Sequence, residues 1–267
     1  MIALMTCVFC KTASDSSRSE EHVVPESLGN LDYVLPRGVV CDACNNYFAT
    51  KIEGPLLNLF YFRDLCHRAA IKNKKGNSPR IKGFHVQSRV VVDLFADTGG
   101  GGSLAASRPQ DEALFADAIR ALEGGTILVP VPVEPDEWLM SRFLAKVAIG
   151  CAALRLIGGG GAIADMLADA AFDPLRQYAR RGTGASLWPY HARRLYAPDR
   201  LFEDAGSEPY TIAHEWTFLL ISDSELIFVL ALFGVEYAVN VGWPDTSPYL
   251  DWLRKNADRS PLYPEGI

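Results

Sequence analysis

The spacing of apolar and polar positions in the first 73 residues predicts short elements interrupted by turns. Two brief apolar runs, residues 23–25 and 38–41, predict strands, and residues 42–53 predict a helix. Gly54-Pro55 marks the end of that helix. Because proline is tolerated at a first helical position, Pro55 can open a second, partly buried helix that reaches about Asn73.

Beyond residue 80 the pattern predicts longer elements. The longest helix is predicted at residues 134–156, which have acidic residues at their start and four glycines after their end. Within it Arg142 and Lys146 share a face and are interpreted as an exposed polar stripe, with a nucleic-acid contact as the alternative. Other predicted elements are strands at 84–95 and 126–131 and helices at 110–123, 163–171 and 174–181.

Three apolar runs near the C-terminus are separated by short turns and predict an antiparallel meander: residues 216–221, 226–233 and 236–241. The predicted fold class is therefore α+β: an N-terminal ββα module followed by an α+β domain with a C-terminal antiparallel β-meander.

The composition is that of a folded protein. Of 267 residues, 49% are apolar and 22% are charged, so the chain can bury a sizeable core. No apolar stretch approaches the roughly 20 residues that a membrane-spanning helix needs. The N-terminus has no basic region and no small-residue cleavage site, so we expect no secretory signal and a cytoplasmic location.

The charge is unevenly distributed. The net charge of −6 argues against a protein that coats DNA non-specifically. Residues 63–89, however, contain eight basic residues and one acidic residue, so this stretch carries +7 and the rest of the chain −13. Such a stretch can attract phosphates, and the alternative is an ordinary solvated face.

Four of the six cysteines form two CxxC pairs, Cys7/Cys10 and Cys41/Cys44, with 30 residues between them. Two such pairs supply four thiolates at the angles that tetrahedral Zn²⁺ prefers, and they leave no open position on the ion. The sequence therefore predicts a structural zinc, which replaces the core that a short module cannot build. The alternative is four reduced cysteines packed in the interior.

Three further polar residues accompany these pairs. Glu21 and His22 lie between the pairs, and Asn45 follows the second. If zinc joins the pairs, Asn45 lies near the start of the helix predicted at residues 42–53. This helix then packs on the strand of Glu21, and the three side chains converge. A carboxylate and an amide oxygen suit Mg²⁺ or Mn²⁺, and a neutral imidazole can take a proton from water. Together these groups suffice for phosphodiester hydrolysis.

The ordered motifs resemble the HNH endonuclease family with a zinc-bound ββα-metal finger: Cys7-x-x-Cys10, Glu21-His22-Val23-Val24-Pro25 and Arg37-Gly38-Val39-Val40-Cys41-x-x-Cys44-Asn45. The last motif also resembles the phage Holliday-junction-resolving branch, in which asparagine follows the last zinc cysteine. The resemblance covers about residues 5–57. It implies that His22 is the general base, that Glu21 and Asn45 hold a catalytic Mg²⁺ or Mn²⁺, and that the four cysteines hold structural zinc.

The sequence departs from the family pattern in two places. Many members have aspartate before the histidine, and Glu21 is one methylene longer, which can shift the metal. The family's middle asparagine aligns near Pro36 or Arg37 and is missing, although Asn46 or Glu53 could assist.

We therefore predict an N-terminal ββα-metal nuclease module (residues 1–60), a basic helix and connector (61–90) and an α+β domain for recognition, oligomerisation or sensing (91–267). The predicted function is a metal-dependent DNA endonuclease, by analogy one of restriction or anti-phage defence. The alternative is a non-catalytic zinc finger that binds nucleic acid or protein as a regulator. A homo-oligomer, and a partner protein or effector at the C-terminal domain, are further expectations. The residues predicted to contact DNA are Arg37, Arg68, Lys72, Lys74, Lys75, Arg80 and Lys82.

Overall fold

The computed structural model describes residues 5–72, 76–96, 101–121, 125–203, 206, 209–222 and 225–266. The α-helices in this part of the chain are α1 (Asp42–Phe48), α2 (Gly54–Leu57), α3 (Phe60–Arg68), α4 (Glu112–Ala121), α5 (Glu137–Gly158), α6 (Ile163–Ala168), α7 (Asp173–Arg181) and α8 (Ser247–Lys255). The strands are β1 (Glu21–His22), β2 (Val34–Leu35), β3 (Ile81–His85), β4 (Val90–Ala96), β5 (Gly102–Ala106), β6 (Ile127–Leu128), β7 (His191–Arg194), β8 (His214–Ser222), β9 (Glu225–Leu232) and β10 (Val235–Asn240). No helix among the described residues has both the length and the apolar character needed to cross a membrane.

Two compact units make up the chain, and they interleave along the sequence. The first unit comprises Met1–Leu56, Pro135–Ala197 and Ala213–Ile267, and the second comprises Leu57–Glu134 and Pro198–Ile212. The N-terminal module therefore shares a unit with the longest helix and with the C-terminal strands. The partition predicted at residues 60 and 90 concerns function and stays a prediction.

The first unit contains an antiparallel sheet with strand order β7-β10-β9-β8. This sheet confirms the predicted C-terminal meander and adds β7 beside β10. Strands β9 and β10 are central and almost entirely buried. Ile227 and Val229 of β9 pack against Tyr249 and Leu253 of α8, which gives this sheet a covered apolar face.

Helix α5 lies in the interior of the first unit. It begins where the Asp136 side chain accepts a hydrogen bond of 2.9 Å from the Leu139 amide, an N-terminal cap. From Met140 to Ala153 nearly every residue is buried, which is typical of a helix that other elements enclose on all sides. Arg142 is 4% exposed and Lys146 is 0% exposed, so the interpretation of the two as an exposed polar stripe is wrong.

The two short strands of the N-terminal module lie at residues other than those predicted. Glu21 pairs with Leu35 and His22 with Val34, whereas residues 38–41 lie outside the ladder. The Val39 amide instead closes a turn onto the Pro36 carbonyl at 3.2 Å. Val39 and Val40 are buried in the loop that precedes Cys41. Their hydrophobicity reflects this burial and does not indicate a strand.

Helix α1 begins at Asp42 as predicted, but Gly54-Pro55 does not end it. A π-helical turn, Ala49–Glu53, leads directly into α2, and Gly54 keeps right-handed helical angles. Pro55 donates no backbone hydrogen bond, and the π-helical turn just before it is the kind of local change in helix geometry that accompanies a proline inside a helix. The next helix, α3, spans only Phe60–Arg68, so the helix predicted over residues 55–73 was too long.

The second unit contains an antiparallel sheet with strand order β5-β4-β3-β6. The single strand predicted over residues 84–95 is wrong, because β3 and β4 form a hairpin with Gly83 opposite Val92. Arg89 adopts a positive φ of 58° in the connecting turn. Val90 and Val92 pack with Phe115 of α4 to form the core of this unit.

Candidate active site

The four cysteine thiols of the N-terminal module converge on one point. The Sγ atoms of Cys7, Cys10, Cys41 and Cys44 all lie within 4.8 Å of one another, and Cys10 and Cys41 are 3.6 Å apart. Sulfurs around a tetrahedral zinc with Zn–S bonds of about 2.3 Å are separated by about 3.8 Å. The cluster therefore fits structural Zn²⁺, and the interpretation as a metal site is favoured over packed thiols.

Local backbone geometry builds this cluster. The Val8 amide donates to the Val39 carbonyl at 2.9 Å, which joins the two cysteine loops side by side. Cys41 caps α1, since its sulfur accepts from the Cys44 amide at 3.4 Å. The hydrogen bond between Cys7 and Cys44 lowers the pKa of Cys7 and raises the pKa of Cys44, so of these two sulfurs Cys7 more readily becomes a thiolate.

Helix α7 holds the cysteine loops from outside. Arg180 donates from Nε to the Cys44 sulfur at 3.2 Å, and the buried Arg176 donates from Nε to the Val8 carbonyl at 2.8 Å. Arg176 is further held by Asp173 at 2.6 Å. No pattern in the sequence connected these arginines with the cysteines, because more than 130 residues separate Arg180 from Cys44.

His22 lies at the end of β1 with a partly exposed ring. Its side chain is 30% exposed, and its Nε2 lies 3.8 Å from a carboxylate oxygen of Glu26. Its Nδ1 is buried and has no hydrogen-bond partner among the residues that the structure describes. The imidazole therefore combines access to solvent with a nearby negative charge.

Asn45 lies in α1 and ties this helix to the chain that enters β1. Its Nδ2 donates to the Glu20 carbonyl at 3.0 Å, and its backbone amide donates to the Cys41 carbonyl at 3.0 Å. The structure thus places Asn45 directly beside the peptide that precedes Glu21. The sequence predicted that this helix packs on the strand of Glu21, and the metal-ligand role that it assigned to Asn45 stays a prediction.

The Glu21 side chain is buried, and it contacts Lys146 of α5. The Lys146 ammonium forms ion pairs with Glu21 and, at 2.7 Å, with Glu53 of the π-helical turn. It also donates to the carbonyls of His22 and Val23 at 2.9 and 3.1 Å. Burial raises the pKa of Glu21, against the opposing effect of Lys146. The two carboxylates outweigh the effect of burial on Lys146, whose pKa is raised, so the ammonium stays charged.

Two other positions on α5 contact the same module. Arg142 donates to the Tyr47 hydroxyl at 2.7 Å and to the Ala179 carbonyl at 2.9 Å. Gly150 approaches Val23 so closely that a Cβ atom there would lie 3.0 Å from the valine methyl. Helix α5 therefore packs closely against the module through residues four positions apart.

The comparison with protein families agrees with this geometry. Residues 7–61 match the model of the HNH endonuclease family. The N-terminal part of the chain is an HNH endonuclease domain. The resemblance predicted from the cysteine pairs, Glu21-His22 and Asn45 is confirmed. No curated protein and no solved structure gave a match.

The HNH domain occupies about a fifth of the chain. The match suggests a nuclease and implies that the protein binds nucleic acid. A catalytic Mg²⁺ or Mn²⁺ ion was also predicted, with Glu21 and Asn45 as its ligands. The observed contacts of Glu21 conflict with this prediction. The Glu21 carboxylate is 5% exposed and is already paired with an ammonium, so as placed it does not fit a ligand of a divalent ion.

The predicted DNA-contacting residues are found in different settings. Three of them have acidic partners: Arg37 pairs with Glu20 at 3.1 Å, Arg68 with Asp64 at 2.7 Å and Arg80 with Asp93 at 3.5 Å. Lys72 and Lys82 are exposed. Lys74 and Lys75 lie outside the described residues.

Sequence reasoning named Lys146 but did not recognise that it pairs with Glu21 and Glu53. The sequence contained a signal for this pairing. Lys146 lies within an apolar stretch, which indicates burial, and a buried lysine is seldom without an acidic partner. The spacing of Arg142 and Lys146 is equally typical of a surface stripe, and the sequence alone does not name the partner. Asn46, which was considered as an assisting residue, is exposed, whereas Glu53 is engaged by Lys146.

Proposed function

We propose that this protein is a DNA endonuclease in which His22 activates the water molecule that attacks a phosphodiester. The observation that carries the proposal is the HNH endonuclease match over residues 7–61, which includes His22 between the two cysteine pairs. The partial exposure of the His22 ring supports this role. A neutral imidazole reached by solvent can take a proton from water as the phosphorus–oxygen bond forms.

Glu26 and Asn45 assist His22 in this proposal. The Glu26 carboxylate lies 3.8 Å from Nε2 of His22 and places a hydrogen-bond acceptor near the proposed base. Asn45 holds the chain at Glu20 and so fixes the position of β1 and of His22. A Mg²⁺ or Mn²⁺ ion, when bound, would stabilise the charge on the phosphate and the leaving oxygen, with the amide oxygen of Asn45 as its remaining predicted ligand.

Charge supports a nucleic acid as the substrate, and DNA is the nucleic acid that we propose. The basic stretch 63–89 carries +7 in a protein whose net charge is −6. The exposed Lys72 and Lys82 belong to this stretch. Local positive charge attracts a phosphate backbone even in a protein whose net charge is negative.

Defence against phage, a homo-oligomeric state and a partner or effector at residues 91–267 belong to the proposal as predictions. The first is tested by plating phage on cells that express the wild type or His22→Ala. The second is tested by light scattering of the purified protein with and without DNA.

A second function, a non-catalytic zinc finger that binds nucleic acid or protein, is favoured by one observation. The ion pair between Glu21 and Lys146 engages the carboxylate that the resemblance assigns to catalysis. The two functions differ in a simple assay, because a binding module shifts a DNA fragment in a gel and leaves it intact.

The experiment is cleavage of supercoiled plasmid by the zinc-loaded protein in the presence of Mg²⁺ or Mn²⁺. We expect nicked and linear products from the wild type and a loss of about 10²–10⁴-fold in rate for His22→Ala, the range that general-base catalysis contributes. His191→Ala, a change at another partly buried histidine, is the matched control and should cut normally. Binding without cleavage by the wild type would support the zinc-finger alternative, and cleavage by His22→Ala at the wild-type rate would remove His22 from the mechanism.

A further inference from the structure

The surroundings of the Lys146 ammonium consist of oxygen atoms. Two carboxylate oxygens, from Glu21 and Glu53, and two backbone carbonyl oxygens, from His22 and Val23, face Nζ. We call these four groups the oxygen cage. An ammonium has three N–H donors, so the four acceptors exceed what it can satisfy singly. A set made only of carboxylate and carbonyl oxygens is the kind that hard divalent cations take in proteins.

The cage is largely shielded from solvent, with Glu53 as its most exposed member. Lys146 is 0% exposed, Glu21 is 5% exposed and the Glu53 side chain is 17% exposed. A buried carboxylate pair with no cation would be strongly destabilising, because the two charges repel and neither is solvated. The folded protein relieves this repulsion either by a cation at the centre of the cage or by a proton on one carboxyl, and the Lys146 ammonium lies at the position of the cation.

The lysine that supplies this charge is held in place by the rest of α5. Arg142 lies one turn before Lys146 and is bonded to Tyr47, and Gly150 lies one turn after it, against Val23. These contacts fix the height and the rotation of α5 against the HNH domain. The side chain of Lys146 is thereby aimed at the oxygen cage.

We infer that Lys146 is the resident cation of the HNH domain, and that it excludes a divalent ion from Glu21 and Glu53. Any Mg²⁺ or Mn²⁺ that the nuclease uses is then bound without Glu21. The role of a nuclease ion rests on the proposed function, whereas occupancy of the oxygen cage by Lys146 is a property of the fold. Lys146 acts as a positioning residue, since its ammonium is too deeply buried to touch a substrate phosphate.

Occupancy of the oxygen cage can be measured by metal binding, independently of cleavage. Replacing Lys146 by methionine keeps much of the side-chain volume and removes the charge. The oxygen cage then contains two buried carboxylates and no cation. We expect Lys146→Met to take up one Mn²⁺ ion at this position, with at least 10-fold tighter binding than the wild type shows there. A merely structural ion pair would give a less stable protein with no gain in metal binding.

The test is a Mn²⁺ titration of the full-length, zinc-loaded protein, followed by the electron paramagnetic resonance signal of free Mn²⁺. Lys51→Met, a change at an exposed lysine of the same domain, is the matched control and should titrate like the wild type. Adding Glu53→Gln to Lys146→Met should remove the new site. A folded Lys146→Met protein whose titration equals that of the wild type would overturn the inference.

A second arm does not require Lys146→Met to fold. Glu21→Gln is made in the protein that retains Lys146. If the wild type binds Mn²⁺, the affinity of Glu21→Gln should lie within 2-fold of the wild-type affinity. If the wild type shows no measurable binding, Glu21→Gln should show none either. A loss of 10-fold or more would show that Glu21 binds the ion and would overturn the inference. Neither arm uses DNA, so an inactive protein with these binding results would reject the proposed nuclease function while retaining Lys146 as the resident cation.

Discussion

Arg180 donates a hydrogen bond of 3.2 Å to the sulfur of Cys44, and so connects a helix of the C-terminal part to a zinc ligand of the HNH domain. Arg176 on the same helix reaches the other cysteine loop through the Val8 carbonyl. Positive charge beside a zinc thiolate offsets the surplus negative charge of a site with four cysteines. The metal site is therefore stabilised by residues that the family match does not include.

Removing Arg180 should weaken zinc binding. Outer residues of this kind commonly contribute about 10–100-fold to metal affinity, and we expect a loss in this range for Arg180→Ala. The measurement is competition for Zn²⁺ with a chromophoric chelator. Arg181→Ala, at the exposed neighbouring position, serves as the control and should bind zinc like the wild type. Equal affinities for Arg180→Ala and Arg181→Ala would contradict the assigned role.

The hydrogen bond between Arg142 and Tyr47 should contribute to the stability of the first unit. Tyr47→Phe removes the hydroxyl that accepts from Arg142 at 2.7 Å, and we expect the free energy of unfolding to fall by about 1.5 kcal/mol. Urea unfolding measures this change, and a double-mutant cycle with Arg142→Met isolates the pair. A coupling energy of zero would mean that the hydroxyl contributes nothing to the attachment of α5.

The features that could be predicted from the sequence are those encoded within a few residues. The CxxC spacing defines a zinc site at once, and the start of α1 at Asp42 follows from Cys41, which is both ligand and helix cap. The position of Asn45 beside β1 follows from the same short segment. When residues only a few positions apart bind one metal ion or cap one helix, the backbone between them has few possible conformations.

The features that could not be predicted depend on pairing across the chain. Glu21 and Lys146 are 125 residues apart, and neither residue carries a local sign of the other. Glu21 precedes a histidine in a family motif, which suggested a metal ligand, but its surroundings were set by a helix outside that motif. The strand predicted at Val39 and Val40 was wrong for a related reason. Hydrophobic residues indicate burial, but they do not show whether the buried segment is a strand or a loop.

The stability of the first unit should depend on pH through His214. Burial lowers the pKa of His214, so the folded state binds its proton less readily than the unfolded state, where the pKa is about 6.5. Below about pH 6.5 the unfolded state therefore binds more protons than the folded state. The folded state loses stability as the pH falls through this range and regains it as the pH rises. We expect the free energy of unfolding of the wild type to rise more steeply from about pH 5 to 7 than that of His214→Gln. Parallel pH profiles in urea unfolding would show that His214 does not contribute.

The basic stretch should determine how salt affects DNA binding. Replacing Lys72, Lys74 and Lys75 by glutamine should weaken binding and lower the slope of log affinity against log salt by about 0.9 for each phosphate that the protein no longer neutralises. Fluorescence anisotropy with a labelled duplex at several salt concentrations measures this slope. The exposed Lys255 at the end of α8 lies outside the basic stretch, and Lys255→Gln is the control. An unchanged slope in the triple variant would exclude this stretch from the DNA path.

The central claim, that His22 directs water to a phosphodiester, is tested most directly by cleavage of a DNA duplex in ¹⁸O-labelled water. Mass spectrometry of the products shows where the solvent oxygen goes. We predict one ¹⁸O atom in the terminal phosphate of each cleaved strand for the wild type, and no cleaved strand above background for His22→Ala. Cleavage without ¹⁸O in the phosphate, or equal labelled product from His22→Ala, would contradict the account.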